Sequence, residues 1–514
     1  MKYNISIIFI YLSLSTSLYA QKHDYNWING YGDFTDNIPE RNGMLLDFNG
    51  AEVEAGIFEK DQFFFLTNLA YSDADGALQL YSDGCAFYDE FGDLLMNGDD
   101  INYDSFCQGE NRSGYPENQG MIALPTSDKS IVAVFYSEQY LVSDTLGNRF
   151  EVRLNRAMID LSDNVVLSKK EIYLNSLASS ILSATKHSNG QDWWIINQDY
   201  FTNEIKCLLV SEGEIIDTVS TFIGLPILAP GASQSNFSPD GTMFARFSPI
   251  SELQLYDFDR STGALSNHKI IEIPNVNEGT LSSGGLAFSG SSRFIYVNDA
   301  LGIWQLDLEA EDIEGSIVQV AEREEFYTGQ DIFGDEIPTF FYKSSLAPDC
   351  RIYICSRGGT DRMYVIMEPE QKGIACDVVQ NIKMPAWNAF SIAQYPNYRL
   401  DNSPACDASK SFPESLDIDV STSSQPLLDK SDIYVYPNPA INSVNLYTKH
   451  LQGDVTLELH DLLGQKIHST NLTSSDDTNN QRIDIRDVPS GLYIYSVYDE
   501  DHSLLYSDRL VVEK

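Results

Sequence analysis

Short runs of alternating apolar and polar residues, separated by polar turns, recur along almost the whole chain. Residues 237–258 read FSPDGTMFARFSPISELQLYDF, 288–308 read FSGSSRFIYVNDALGIWQLDL, and 346–366 read LAPDCRIYICSRGGTDRMYVI. In each, a residue ending one strand enters a tight polar turn (SPDG, SGSS, APDC). An apolar strand follows, then a short gap and a second alternating strand, which is the period-two signature of β-structure. Asp240-Gly241 suits a hairpin turn with positive φ. The strands after the turns, SIVAVFYS, DWWIIN, TMFARFS, RFIYVN and RIYICS, are apolar on both faces. A strand sandwiched between neighbouring sheets must be so. Phe244, Ile295, Val297, Ile352 and Ile354 are therefore expected in the core.

The unit repeats. Phe237 to Phe288 spans 288 − 237 = 51 residues, and Phe288 to Leu346 spans 346 − 288 = 58. Weaker copies lie at 63–84, 124–138 and 186–199. A period of about 50 to 60 residues is that of propeller blades, each a four-stranded meander that cannot bury its faces alone. Helical repeats would need long stretches at 3.6 periodicity, of which there are almost none. A β-helix would have a shorter period. The repeats predict an all-β fold, a six- or seven-bladed β-propeller over residues 21–406. A seventh blade drawn from 40–62 with 376–400 would close the ring.

The two ends differ from the middle. Residues 1–20 carry Lys2, an apolar run and small residues up to Ala20, the pattern of a signal peptide cut before Gln21; the alternative is a buried amino-terminal helix. No later segment approaches the ~20 apolar residues of a spanning helix. Residues 407–430 are rich in Ser, Asp and Pro and read as a linker. Beyond it, VTLELHDLLGQKI, IDIRDV, GLYIYSVYD and DRLVVEK alternate between turns. Residues 431–514 thus predict a small, separate β-sandwich, entered through the rigid Pro437-Asn438-Pro439.

Charge and cysteines narrow the context. Lys plus Arg is 33 and Asp plus Glu is 75, so the formal charge is 33 − 75 = −42, spread through the chain. Nucleic acid and anionic lipid both demand a basic face and are excluded as partners. The carboxylates offer oxygen ligands for hard cations, against the simpler reading of a solvated surface. DADG, through Asp73 and Asp75, is a partial calcium loop that reads equally as a hairpin turn; calcium is the one cofactor the sequence raises. The seven cysteines form no CxxC pair. In an exported chain they read as disulfides, Cys85 with Cys107 and Cys350 with Cys376, each closing a moderate loop. Cys207, within IKCLLV, reads as a buried thiol.

Two resemblances follow from these residues. FSPDG before an apolar strand resembles the WD-like and Tol-associated propeller repeats of bacteria. Tyr436-Pro437-Asn438-Pro439, then LHDLLGQKI with Gly464, then VPSGLYIYSV with Gly491, Leu492 and Tyr493, and finally Lys514, resemble the type A sorting domain of the type IX secretion system of Bacteroidetes. The alternative for this module is a carbohydrate-binding sandwich. The resemblance implies passage through the periplasm, handling by the secretion machinery, and a secreted or outer-membrane-surface protein. YSDGCAFYDEFGDLLMNGDD at 81–100, LAPDCRIYICS, GIACDVVQ and QYPNYRLD at 394–401 resemble secreted propellers with the same tail.

The catalytic inventory is thin. Of the histidines only His187 and His268 fall within the repeats, and no GxSxG or phosphate-cradling Gly loop occurs. No residue is assigned a catalytic role. Two functions remain. One is a non-catalytic scaffold binding an extracellular protein or glycan through loops such as INYDSFCQGENRSGYPENQG at 101–120. The other is a secreted hydrolase or lyase acting on polysaccharide through carboxylates in the central funnel. What lines that funnel distinguishes them.

Overall fold

The structure is a computed structural model. It describes residues 21–413 except 31–42, 59–63, 103–105, 108–113, 145–146, 228–232, 249–251, 275–283, 331–335, 389 and 403, and residues 433–512 except 437–439, 450–452, 461–465, 475–477 and 499–503. The signal-peptide segment 1–20 and most of the linker lie outside the described residues. The chain divides into two compact units, Met1–Ile418 and Asp419–Lys514.

Regular structure in the first unit is almost wholly antiparallel β. Its described residues form seven sheets of three or four strands in chain order, and a two-stranded ribbon at Tyr327–Gln330 and Glu336–Pro338. The first sheet is Asn26–Asn29, Gly43–Asp47 and Glu54–Phe58; the second is Leu69–Ser72, Leu78–Ser82 and Phe87–Asp89. The third holds Met121–Pro125, Ile131–Asp144, Gly147–Asp160 and Val165–Leu177, and the fourth Ser183–Lys186, Trp193–Gln198, Glu204–Ser211 and Glu214–Phe222. The fifth comprises Gln234–Phe237, Met243–Ser248, Glu252–Asp259 and Ala264–Ile271. The sixth comprises Gly285–Phe288, Phe294–Asn298, Gly302–Asp307 and Val318–Glu322. The seventh comprises Phe341–Leu346, Ile352–Ser356, Thr360–Ile366 and Val378–Asn388.

The five strands read as apolar on both faces are each the second strand of their sheet, and the polar turns join first strand to second. Phe244, Ile295, Val297, Ile352 and Ile354 are fully buried. Gly241 in the DG turn has φ of 69°. A Cβ there would also come within 2.6 Å of Thr185 Oγ1.

The cores lie between sheets, as double-sided burial requires. Ile28, Phe58, Ala70 and Tyr81 join the first and second sheets. Leu80, Val134 and Ile159 join the second and third. Phe135, Ile195 and Leu208 join the third and fourth. Trp194, Phe244 and Tyr256 join the fourth and fifth. Phe247, Ile295 and Leu306 join the fifth and sixth. Tyr296, Ile352 and Ile354 join the sixth and seventh. The last cluster joins the seventh sheet to the first, through Tyr353, Val365 and Met384 against Trp27, Met44 and Leu46. This succession of meanders, each sharing cores with its neighbours, is propeller-like. Val378–Asn388 pairs within the seventh sheet, not with 43–58; Ile392 and Ala393 join the core that the two sheets share.

The disulfides correct one expectation. Cys85 is bonded to Cys107, with Cα atoms 5.3 Å apart. Cys350 is bonded to Cys406, not to Cys376. Cys376 closes a short 3-10 turn and is buried in the core between the sixth and seventh sheets. Cys350 lies in the turn of the seventh sheet, where the chain returns after Leu400. The return continues into the stretch read as linker: Ser411 pairs with Glu52, and Lys410 Nζ donates to Gly50 O at 2.6 Å. Cys207, Cys355 and Cys376 are free and buried.

The second unit has a three-stranded sheet (Ile433–Tyr436, Ser443–Lys449, Thr478–Asp484) and a four-stranded one (Lys466–Ser474, Gly453–His460, Gly491–Tyr498, Leu504–Val512). Val444, Leu446 and Ile483 of the first share a core with Leu457, Leu459, Val497 and Leu510 of the second.

Because each unit has its own core, Ile352→Ala should destabilise the first unit by about 2–5 kcal/mol and leave the second unchanged. Calorimetry resolving both transitions checks this; a shift of both together would contradict independent cores.

Candidate functional site where the inner strands converge

Among the described residues the first strands of the sheets pair only within their own sheets. Their buried peptide groups still need partners, and side-chain amides supply them. Gln119, just before Met121–Pro125, donates to Ser235 O at 2.7 Å and accepts from Ser235 N at 2.9 Å. Gln234 donates to Ser344 O at 2.6 Å and accepts from Leu286 N and Ser344 N, each at 3.0 Å. Asn236 donates to Leu286 O and Asn298 to Tyr342 O. Asn68 donates to Ser391 Oγ at 2.6 Å and Ile28 O at 3.1 Å. One carboxamide offers both donor and acceptor, so a single Gln can imitate a strand between two strands.

Two ionisable groups sit within this network. Lys343 Nζ donates to Ser233 O and to Gly284 O. Burial pulls its ammonium down to about 7, against the opposing attraction of Cys355 and Glu117. Glu117 is 1 % exposed and accepts from Gln139 Nε2 and Ser180 N. Burial raises its carboxyl, and those bonds offset part of the rise. The loop carrying it is fixed by Thr67 Oγ1, which donates to Glu117 O at 2.6 Å.

Residues 394–402 lie across one end of the inner strands. Gln394 donates to Ser344 O, Asn397 to Pro239 O, Tyr395 Oη to Asn26 O and Tyr398 Oη to Ala123 O. Arg399 grips both oxygens of Asp24, at 2.6 and 2.8 Å, and donates to Gln21 O and Ala405 O. This buried pair is bidentate and its remaining donors are met, the condition under which a buried ion pair is tolerated. Between this segment and the strand ends is a cavity of about 70 Å³, lined by Asp24, Thr185, Asn236, Ser238, Asn397 and Arg399 among others. That is room for a few waters, far below the roughly 300–1,000 Å³ of small-molecule sites.

The residues singled out from sequence lie elsewhere. Asp73 Oδ1 accepts from the N–H groups of Asp75, Gly76 and Ala77, so it closes a hairpin turn, and Asp75 is exposed. Among the described residues no three His, Cys, Asp or Glu side chains gather as a metal site. His187 Nδ1 accepts from Asn189 N inside its turn, and His268 stacks on Tyr256. The 101–120 stretch, expected as a recognition loop, has its Glu117–Gln119 end buried among the inner strands; residues 103–105 and 108–113 lie outside the described residues. In the second unit Gly491, Leu492 and Tyr493 belong to a central strand, and Tyr493 Oη donates to Pro489 O at 3.0 Å. Tyr436 ends a strand, while Pro437, Asn438, Pro439, Gly464 and Lys514 lie outside the described residues.

Comparison with known proteins adds a tail. Residues 434–513 match the family model of the secretion system C-terminal sorting domain. No curated protein matches the chain. Similar solved structures include the periplasmic gluconolactonase of Pseudomonas aeruginosa, 11 % identical, covering 72 % of this chain and 98 % of that one, with a TM-score of 0.34. The Dos1 propeller is 9 % identical over 65 % of this chain and 88 % of its own, with a TM-score of 0.31. A luciferin-regenerating enzyme is 11 % identical over 47 % and 85 %, with a TM-score of 0.27. Likeness at this level decides nothing here, and the fold rests on its own strand order. The tail marks the chain for export to the cell surface or the medium. Among the described residues no helix is long and apolar enough to cross a membrane.

Lys343 gives a pH signature. Unfolded, its ammonium holds its proton to an ordinary 10.5, and folded only to about 7. Between these values the unfolded chain binds more proton, so stability should rise with pH, by at most about 1.4 kcal/mol per unit for this one group. Lys343→Met should lose that rise and be at least as stable as wild type near neutral pH. Melting temperatures across the interval check it.

Proposed function

We propose that this chain is an exported, non-catalytic scaffold that binds an extracellular protein or glycan. Its first unit is read as a seven-bladed propeller, and its second as a two-sheet sandwich of the type A sorting class used by the type IX secretion system of Bacteroidetes. The cyclic order of the inter-sheet cores supports the blade number, and the single core between two sheets supports the sandwich. Signal peptide, periplasmic passage and handling by the secretion machinery follow from this reading.

The observation that carries the binding role is the amide network that joins the inner strands. The inner strands are tied to one another by Gln119, Gln234, Asn298 and Asn68, and the cavity between their ends and the 394–399 segment is about 70 Å³. Recognition then belongs to the outer loops, held on a rigid body. The alternative, a polysaccharide hydrolase or lyase, would need acids free to meet a sugar, whereas Glu117 is engaged by Gln139 and Ser180.

Deleting 431–514 should leave the truncated chain in the periplasm of the native host. Fractionation with surface immunolabelling tests export, and normal surface display of the truncated chain would contradict it. Incubation of the mature protein with soluble polysaccharides should release no reducing ends. Release that disappears in Glu117→Gln would reverse the choice in favour of the hydrolase.

A further inference from the structure

One stretch beside the last strands of two sheets keeps large apolar side chains in water. Residues 89–100 read DEFGDLLMNGDD and run from the last strand of the second sheet to the last strand of the third. Phe91, Leu94 and Met96 are 63, 52 and 65 % exposed, and lie within six residues of one another. Leu95, between the last two, is buried in the core that the second and third sheets share. Side chains alternate along an extended chain, so the inward turn of Leu95 holds Leu94 and Met96 outward. Met96 pairs with Val165 of the third sheet, two residues from Leu167, which is 57 % exposed. Single exposed apolar residues are ordinary, but four brought together on one segment and its paired neighbour mark a contact surface.

The surface is preformed. Asp89 Oδ1 accepts from Phe91 N at 3.0 Å and from Asp93 N at 2.8 Å, which closes the turn that carries Phe91. Leu95 N donates to Phe87 O, Met96 N to Asn164 O and Val166 N to Met96 O. The Cys85–Cys107 bond closes the loop that contains the whole segment. A surface held in this way binds at little cost in ordering. Charge then selects the occupant. Residues 89–100 carry five carboxylates and no Lys or Arg, and the nearby Lys169 is paired with Asp99 at 3.0 Å. A second copy of the chain would set acid against acid. A sugar would bring hydroxyls that the aliphatic Leu94, Met96 and Leu167 cannot meet. A protein segment with apolar anchors between basic side chains satisfies both the apolar centre and the acidic surround, and Met96 adapts to the shape of the anchor.

We infer that Phe91, Leu94, Met96 and Leu167 form the docking surface for a basic protein segment. Its apolar anchors seat on these four side chains, and its lysines or arginines lie against Glu90, Asp93 and Asp100. This rests on the scaffold reading and gives the chemistry of the partner. The hydrolase alternative is decided by sugar release, which binding at this surface does not touch, so the two readings fail separately.

Residues 21–514 are titrated against a short fluorescent peptide of alternating lysine and leucine, with lysine–serine and glutamate–leucine peptides as controls. Anisotropy should show saturable binding of the first, at least about tenfold tighter than either control. Phe91→Ser combined with Met96→Ser should weaken it about tenfold or more. Leu141→Ser, which removes a comparably exposed side chain elsewhere on the third sheet, should leave it unchanged. Asp93→Asn combined with Asp100→Asn should weaken it and flatten its dependence on salt. All of these variants should melt as wild type does, because the replaced side chains are exposed. Equal binding of the three peptides, or an unchanged affinity in the Phe91 and Met96 double variant, overturns the surface. A wild-type dimer that the same double variant dissolves assigns the surface to a second copy, and displacement of the peptide by a neutral oligosaccharide assigns it to a glycan; either overturns the basic segment. Should that double variant not fold, an unchanged affinity in the Asp93 and Asp100 double variant overturns it.

Discussion

A sheet that is apolar on both faces cannot stand in water without a neighbour on each side. That constraint organises the first unit. Each of its sheets shares a core with the next, and the seventh shares one with the first. Trp27 is the centre of this last junction. Fully buried, it touches Phe48 of its own side and Tyr353 of the seventh sheet, at ring separations of 5.2 and 5.7 Å. Its indole N–H donates to Asp24 O, and the Asp24 carboxylate is held by Arg399. Residues near the two ends of the unit thus meet in one knot of apolar contact and charge. The Cys350–Cys406 bond fixes the returning chain nearby in sequence.

The same constraint shapes the centre. Strands that diverge from a common axis leave inner peptide groups unpaired, and amide side chains complete them. Gln119 and Gln234 each donate and accept there, so one side chain serves a strand on either side.

The second strands were legible in the sequence because burial on both faces leaves an uninterrupted apolar run, as in RFIYVN and RIYIC. The turns were legible because SPDG, SGSS and APDC have few other uses. The tail was legible from GLYIYSV and its flanking motifs. The partner of Cys350 was not: residues 407–413 have the composition of a linker, and backbone pairing with Ala51 and Val53 holds them without apolar content. The inner network was equally hidden. Gln119, Gln234 and Asn68 sit in polar contexts that look solvated, and only their cross-axis partners, up to 323 residues away, show them to be buried. Asp73 shows the converse, a ligand-like spacing wholly explained by a turn.

The account stands on the junction between the first and seventh sheets, and hydrogen exchange of Trp27→Ala measures it directly. A large buried aromatic lost there costs about 3–5 kcal/mol. If both sheets depend on the shared core, protection should fall together in the strands of 26–58 and of 341–388, by comparable amounts. Opening of 26–58 alone, with 341–388 exchanging as in wild type, would contradict it.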